Sequence, residues 1–142
     1  MSTDEKASRQ PCGVLALRTL AMPKDTNPSG DIFGGWILSQ MDVAGGLMAS
    51  EIAKGRTVTV SVEKMVFERP VHVGDTICVH TELLHVGDSS LDIKVEVWAR
   101  QLVGAYEVER QLVTEGVFRY IAIDEHGRPR TVPDNPQYFS RQ

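Results

Sequence analysis

The stretch from Asn27 to Gly46, "NPSGDIFGGWILSQMDVAGG", decides how the rest of the chain is read. Its first residues, Asn, Pro, Ser and Gly, are turn formers and close a loop over Lys24 to Ile32. From Phe33 the pattern becomes apolar at helical spacing, and a single helix is expected over Phe33 to Lys54. Asp31 is available as its N-terminal cap and Gly55 as its stop. Gly45 and Gly46 weaken a helix, because interior glycine costs about 1 kcal/mol each against alanine. Such glycines in a real helix imply close approach by another backbone.

On a wheel of about 100° per residue, Phe33, Ile37, Met41, Ala44 and Met48 form one stripe suited to packing on a sheet. Gly35, Ser39, Asp42, Gly46, Ala49 and Ala53 form a second, nearly opposite stripe of small residues. A solvent-facing stripe would normally carry Lys and Glu. Between Phe33 and Ser50 the only charged residue is Asp42. The helix is therefore expected to be covered on most sides, with the small stripe against a second copy of the chain. Asp42 has two readings from the residues alone: a polar side chain that reaches water, or a carboxylate in a small-residue groove, able to act as general base or nucleophile. Gly34 and Gly35 fall in the first turn, where backbone N–H groups lack intrahelical partners. A ligand oxygen could approach them, as in an oxyanion hole, or the pair could simply form a tight turn.

Beyond Gly55 the period changes to two. "RTVTVSVEKMVF" alternates Val58, Val60 and Val62 with Thr57, Thr59, Ser61 and Glu63. "DTICVHTELLHV" (75–86) places Ile77, Val79, Thr81 and Leu83 on one side. "SSLDIKVEVWAR" (89–100) is the cleanest strand, with Leu91, Ile93, Val95, Val97 and Ala99 opposed to Ser90, Asp92, Lys94 and Glu96. Gly87-Asp88 marks a two-residue hairpin turn between those runs. "ERQLVTEGVFRYIAI" (109–123) is a further long strand, and "VLALRTLAM" (14–22) a short one before the helix. One helix followed by an antiparallel meander is an α+β layout. Residues 1–12 read as a flexible N-terminal arm, 13–126 as a single domain and 127–142 as an irregular, Pro-rich C-terminal tail.

Composition bounds the function. With 142 residues and a formal net charge of −4, the chain lacks the basic excess of a general nucleic-acid binder. The longest apolar stretch is interrupted by Ser39, Gln40 and Asp42 and falls short of a membrane span. The N-terminus lacks the apolar core of a signal peptide, and Cys12 and Cys78 make neither a disulfide framework nor a metal motif. A cytoplasmic protein is expected. His72, His80, His85 and His126 show no ligand spacing, and no GxSxG, GxGxxG or Walker segment occurs, so no metal site is expected.

Taken in order, "NPSGDIFGGWILSQMDVAGG", "GRTVTVSVEKMVFERPVHVGDTICV" and "VGDSSLDIKVEVWAR" resemble the hotdog-fold acyl-coenzyme A thioesterases, most nearly the bacterial YciA-type group, over residues 14–133. The resemblance implies a hotdog fold, one long central helix wrapped by a five- to six-stranded antiparallel sheet. It implies a homodimer joined edge to edge as the minimal unit, assembled as a trimer of dimers (a hexamer), with catalytic groups of two protomers meeting at the interface. Asp42 matches the acid that promotes hydrolysis and Gly35 the amide that polarises the thioester carbonyl. Asp31 falls where two-domain relatives carry an active-site Asn, and an acid there leaves helix capping equally open. Segments matching Val60, Ser61, Val62 and Ser89, Ser90, Leu91 contact coenzyme A in that family. The implied activity is hydrolysis of acyl-CoA to free acid and coenzyme A, within fatty acid metabolism, with no cofactor required. Arg56, Lys64, Arg69, Lys94, Arg128 and Arg130 are basic candidates for the nucleotide phosphates, none assigned. Two other readings stand beside hydrolysis. One is a hotdog hydratase or dehydratase, which typically places a His near the helix start, where residues 24–54 have none. The other is a non-catalytic acyl-CoA-binding module.

Overall fold

A computed structural model describes residues 9–103, 106–107 and 110–141. Most of the arm read over 1–12, namely residues 1–8, lies outside the described residues. The expected α+β layout is present. Strand β1 (Val14–Leu20) leads through a 3-10 turn (Pro23–Asp25) into helix α1 (Gly34–Ala53). Strands β2 (Thr57–Glu63), β3 (Thr76–Val86), β4 (Ser90–Arg100), β5 (Leu102–Val103), β6 (Tyr106–Glu107) and β7 (Gln111–Ala122) follow. One five-stranded sheet has the order β1-β3-β4-β7-β2, every pairing antiparallel; β5 and β6 pair only with each other. Register shifts at Leu15/Leu17, Thr59/Ser61, Leu83/His85 and Val97/Trp98 interrupt the ladders. Such bulges bend strands and sharpen twist, which is how a sheet curls around a single helix.

The core lies between α1 and the concave face of the sheet. Ile37, Met41, Ala44, Ala49, Ile52 and Ala53 of the helix are buried against Ile77, Val79, Leu91, Ile93, Val95, Val97, Phe118 and Tyr120. The expected stripe is thus rotated: Phe33 is exposed and Met48 only half-buried, while Ala49 and Ala53 of the small stripe are fully covered. The small stripe does not await a second copy along its whole length. The chain itself buries Ala49 and Ala53, and Tyr120 of β7 lies beside Gly46. The uncovered face of the helix instead carries Val43 and Leu47, 54% and 59% exposed.

The other face of β4 is not simply a solvent face. Glu96 is 1% exposed beneath the segment leading into β1. Its Oε1 accepts from the Cys12 amide (3.0 Å) and Trp98 Nε1 (2.9 Å), and its Oε2 meets Arg9 Nη2 (2.9 Å) and Lys94 Nζ (3.1 Å). Burial pushes the Glu96 carboxyl up, but the Cys12 amide, Trp98 and Lys94 together hold it below the usual carboxylate range.

The helix ends as expected near Gly55: Lys54 adopts a left-handed conformation (φ 54°) and the Gly55 amide donates to Ser50 O at 3.1 Å. The Pro-rich C-terminal segment forms no long strand, yet it is packed. Arg130 Nη2 donates to Ala53 O (2.8 Å) and Asn135 Nδ2 to Ile52 O (3.2 Å), taking up carbonyls of the last helical turn. Val132 is fully buried. Among the described residues no helix is long and apolar enough to cross a membrane.

Candidate active site

Three elements meet at Asp42. The helix carries the carboxylate at its middle, β2 brings Thr59, and β7 brings Tyr120, which pairs with Thr59 across the β2–β7 ladder. Thr59 Oγ1 donates to Asp42 Oδ1 at 2.6 Å. Tyr120 Oη stands 3.1 Å from the same oxygen and 3.2 Å from the Asp42 backbone carbonyl. Asp42 is half-buried and Tyr120 is 1% exposed. Burial first, and then the Asp42 carboxylate, push the Tyr120 phenol far above its ordinary value, so the hydroxyl keeps its proton at every working pH.

The glycine pair explains how Tyr120 reaches so deep. A Cβ at Gly45 would overlap Tyr120 Oη, whereas one at Gly46 would lie 3.8 Å from Tyr120 Cε1 in ordinary contact. What approaches the helix here is an aromatic side chain, not the second backbone that the pair implies in sequence.

The helix start supplies a second polar feature. Ile37 N to Phe33 O (3.3 Å) is its first hydrogen bond, and the Phe33 amide is taken by Asp25 O (2.9 Å). Among the described residues the amides of Gly34, Gly35 and Trp36 have no acceptor, as the first turn requires. Gly35 is exposed, and a Cβ there would meet nothing within 4 Å. A Cβ at Gly34 would touch Phe67 Cζ at 3.5 Å, and exposed Phe33, Val66 and Phe67 give this end an apolar surround.

Asp31 is not the helix cap. The N-cap is Phe33 and no side chain caps it, because the loop before it is closed by Asn27 instead. Asn27 Oδ1 accepts from the amides of Ser29 (2.9 Å) and Asp31 (3.1 Å), an Asx-type turn that leaves the Asp31 carboxylate outside. That carboxylate is half exposed and lies 3.5 Å from His72 Nδ1. It is not brought to Asp42, since the helical span from Gly34 to Asp42 alone is about 12 Å.

Of the residues assigned to coenzyme A, Val60, Ser61 and Val62 follow Thr59 along β2, an edge strand whose valines are exposed. Ser61 pairs with Arg119 of β7, which makes a two-pronged ion pair with Asp92 of β4 (2.7 and 2.9 Å). Ser89 and Ser90 lie at the start of β4, on the other side of β7. The two segments are thus about 9.5 Å apart across one intervening strand. Leu91 pairs with Tyr120 and its side chain is fully buried, so it offers no surface group. A polar cavity lined by Arg69, His72, Asp75, Gln101, Gln111 and Val113 includes neither Asp42 nor Gly35. Among the described residues no three His, Cys, Asp or Glu side chains gather as a metal group.

Thr59 and Tyr120 are the functional neighbours that the sequence reading leaves out. The available signal for Tyr120 was the Gly45-Gly46 pair, a clearance in search of a bulky occupant.

Residues 29–105 match the model of the thioesterase superfamily. The chain belongs to that superfamily. Within it, the acyl-CoA thioester hydrolase YciA of Escherichia coli is 50% identical over 87% of this chain and 93% of its own. The crystal structure of HI0827, a hexameric broad specificity acyl-coenzyme A thioesterase, is 55% identical, covers 89% of this chain and 86% of that one, and superposes with a TM-score of 0.84. Cj0915, a hexameric hotdog fold thioesterase of Campylobacter jejuni, is 39% identical over 85% of this chain and 91% of its own, with a TM-score of 0.80. The single helix in a curled five-stranded sheet is therefore the hotdog fold of these thioesterases.

Proposed function

We propose that this chain hydrolyses acyl-coenzyme A thioesters, with Asp42 as the reacting carboxylate and the Gly35 amide as the group that polarises the carbonyl. The observation that carries the roles is the helix itself: Asp42, its one ionisable side chain before Glu51, held at mid-helix two turns from backbone amides without acceptors. In the general-base form, Asp42 takes a proton from water as its oxygen bonds to the thioester carbon. The C–S bond then breaks and the proton passes to the leaving thiolate. In the nucleophilic form, the carboxylate bonds to the carbon, coenzyme A leaves, and water cleaves the resulting anhydride. Neither form consumes a cofactor; coenzyme A is a product.

Gly35 and Asp42 share a face, since seven residues bring the wheel back to within about 20°, but they are about 10 Å apart along the axis. A direct attack requires reacting atoms within about 3.5 Å. Two protomers supplying Gly35 and Asp42 to one site resolve this, as the family resemblance implies. The exposed Val43 and Leu47 and the open edge of β2, with Val58, Val60 and Val62, favour a homodimer formed on that side, itself part of a hexamer. Asp31, free of capping, is placed to assist from the helix start. Coenzyme A would run along Val60–Val62 and the Ser89–Ser90 turn, with the acyl chain among Phe33, Val66 and Phe67. The unbridged Cys12 and Cys78 accord with a cytoplasmic location.

The test is thiol release from a panel of acyl-CoA chain lengths. Turnover across several lengths supports the reading. Because the His72–Asp31 pair stands just ahead of the helix, a crotonyl thioester belongs in the panel. Hydration without thiol release would point to a hydratase, and stoichiometric binding without either product to a sensor.

A further inference from the structure

We infer that Thr59 and Tyr120 are positioning residues that fix Asp42 through Oδ1 and so make Oδ2 the oxygen that meets the attacking water or the thioester carbon. The inference rests on the role proposed for Asp42.

A carboxylate has two oxygens with about four acceptor sites. Here both side-chain donors fall on one of them: Thr59 Oγ1 at 2.6 Å, the short distance of an O–H donor on an anion, and Tyr120 Oη at 3.1 Å. Among the described residues Oδ2 takes no hydrogen bond. The two donors come from adjacent strands and the acceptor from the helix, so the carboxylate is tied at three points and its terminal torsion is set. Tyr120 cannot swing aside. Its ring is buried, stacked on Phe118 with centroids 6.3 Å apart, and its hydroxyl sits over Gly45 and also touches the Asp42 backbone carbonyl. A reacting group held by a locked second layer keeps its geometry without reorganising at each turnover.

Tyr120 is the titratable side chain facing Asp42 from β7, and it stays protonated. Strand β2 contributes the neutral Thr59, while β4 brings apolar Leu91 and Ile93 to the helix side.

Tyr120→Phe removes only the hydroxyl and keeps the packed ring; Thr59→Val removes the second donor at nearly constant volume; Thr59→Ser restores it. Kinetics on acyl-CoA are read as kcat and KM separately, alongside crystal structures of the variants that show the Asp42 side-chain torsion. Each donor-deleted variant should lose about 10-fold or more in kcat, with KM within about twofold. Thr59→Ser, which restores the donor to Oδ1, should return kcat toward wild type. Unchanged kcat in folded Tyr120→Phe or Thr59→Val would overturn the inference, as would a loss of kcat in Thr59→Val that Thr59→Ser does not rescue. If Tyr120→Phe does not fold, the Thr59 pair of variants decides alone. A wild-type protein that releases no thiol would sink the proposed function instead, and an Asp42 side chain that keeps its torsion in the Thr59→Val structure would still overturn the positioning.

Discussion

Tyr120 Oη occupies the space where a Cβ of Gly45 would lie, while the neighbouring Gly46 has ordinary room beside the same ring. The two glycines of one sequence pair are therefore not equivalent. Gly45→Ala must push Tyr120 or the helix aside and should destabilise by about 1–3 kcal/mol, the usual range for overpacking. It should also loosen Asp42. Gly46→Ala should stabilise by up to about 1 kcal/mol, because helix propensity improves and the new Cβ meets only ordinary contact. Thermal unfolding of both variants checks the order, and equal costs would contradict it.

The same pair shows how far the sequence could be read. The helix from its apolar spacing, the long strands from their alternation, and Gly35 and Asp42 on one stripe all needed only local periodicity. What lay beyond it was tertiary. Which strand would cover the small stripe depends on the sheet order β1-β3-β4-β7-β2, which no local pattern encodes. Thr59 looked like any polar residue of an alternating strand until β2 was placed beside the helix. Asp31 looked like a cap because capping preferences are local, yet Asn27 closes the loop and the helix starts three residues after Asp31.

Glu96 gives a pH-dependent term. Its folded-state pKa lies below the ordinary value of 4.5, so it contributes stability that is present above that value and lost as pH falls through the folded value. Glu96→Gln should therefore flatten the loss of stability on acidification below pH 4.5. Glu96→Ala, which strands Lys94 and the buried Trp98 Nε1–H and leaves Arg9 only Glu115, should cost about 3 kcal/mol at neutral pH. Denaturant midpoints at pH 7 and pH 4 measure both, and parallel acid curves for Gln variant and wild type would count against the charge network.

The C-terminal segment caps the helix it packs on. Asn135→Ala leaves Ile52 O without its buried donor and should destabilise by about 1–2 kcal/mol. Ending the chain after His126 removes Arg130, Val132 and Asn135 together and should cost more than that variant alone. Chemical denaturation of the two forms compares them; a shortened chain as stable as wild type would mean the tail is only an appendage.

A site shared between protomers makes a prediction that a single-chain site does not. Gly35→Val blocks the amide and Asp42→Ala removes the carboxylate, so each variant alone should be inactive. Mixed dimers refolded from both would hold one intact site out of two, and a random mixture should regain about a quarter of wild-type activity. No recovery in mixed assemblies of confirmed composition would place both groups in one chain.

The central claim, that Asp42 is the reacting carboxylate, is tested most directly by thiol release from acyl-CoA with the Asp42→Ala protein. The account predicts a fall in kcat of about a thousandfold or more, with coenzyme A binding and thermal stability close to wild type. Turnover near the wild-type rate in a folded Asp42→Ala protein would contradict it.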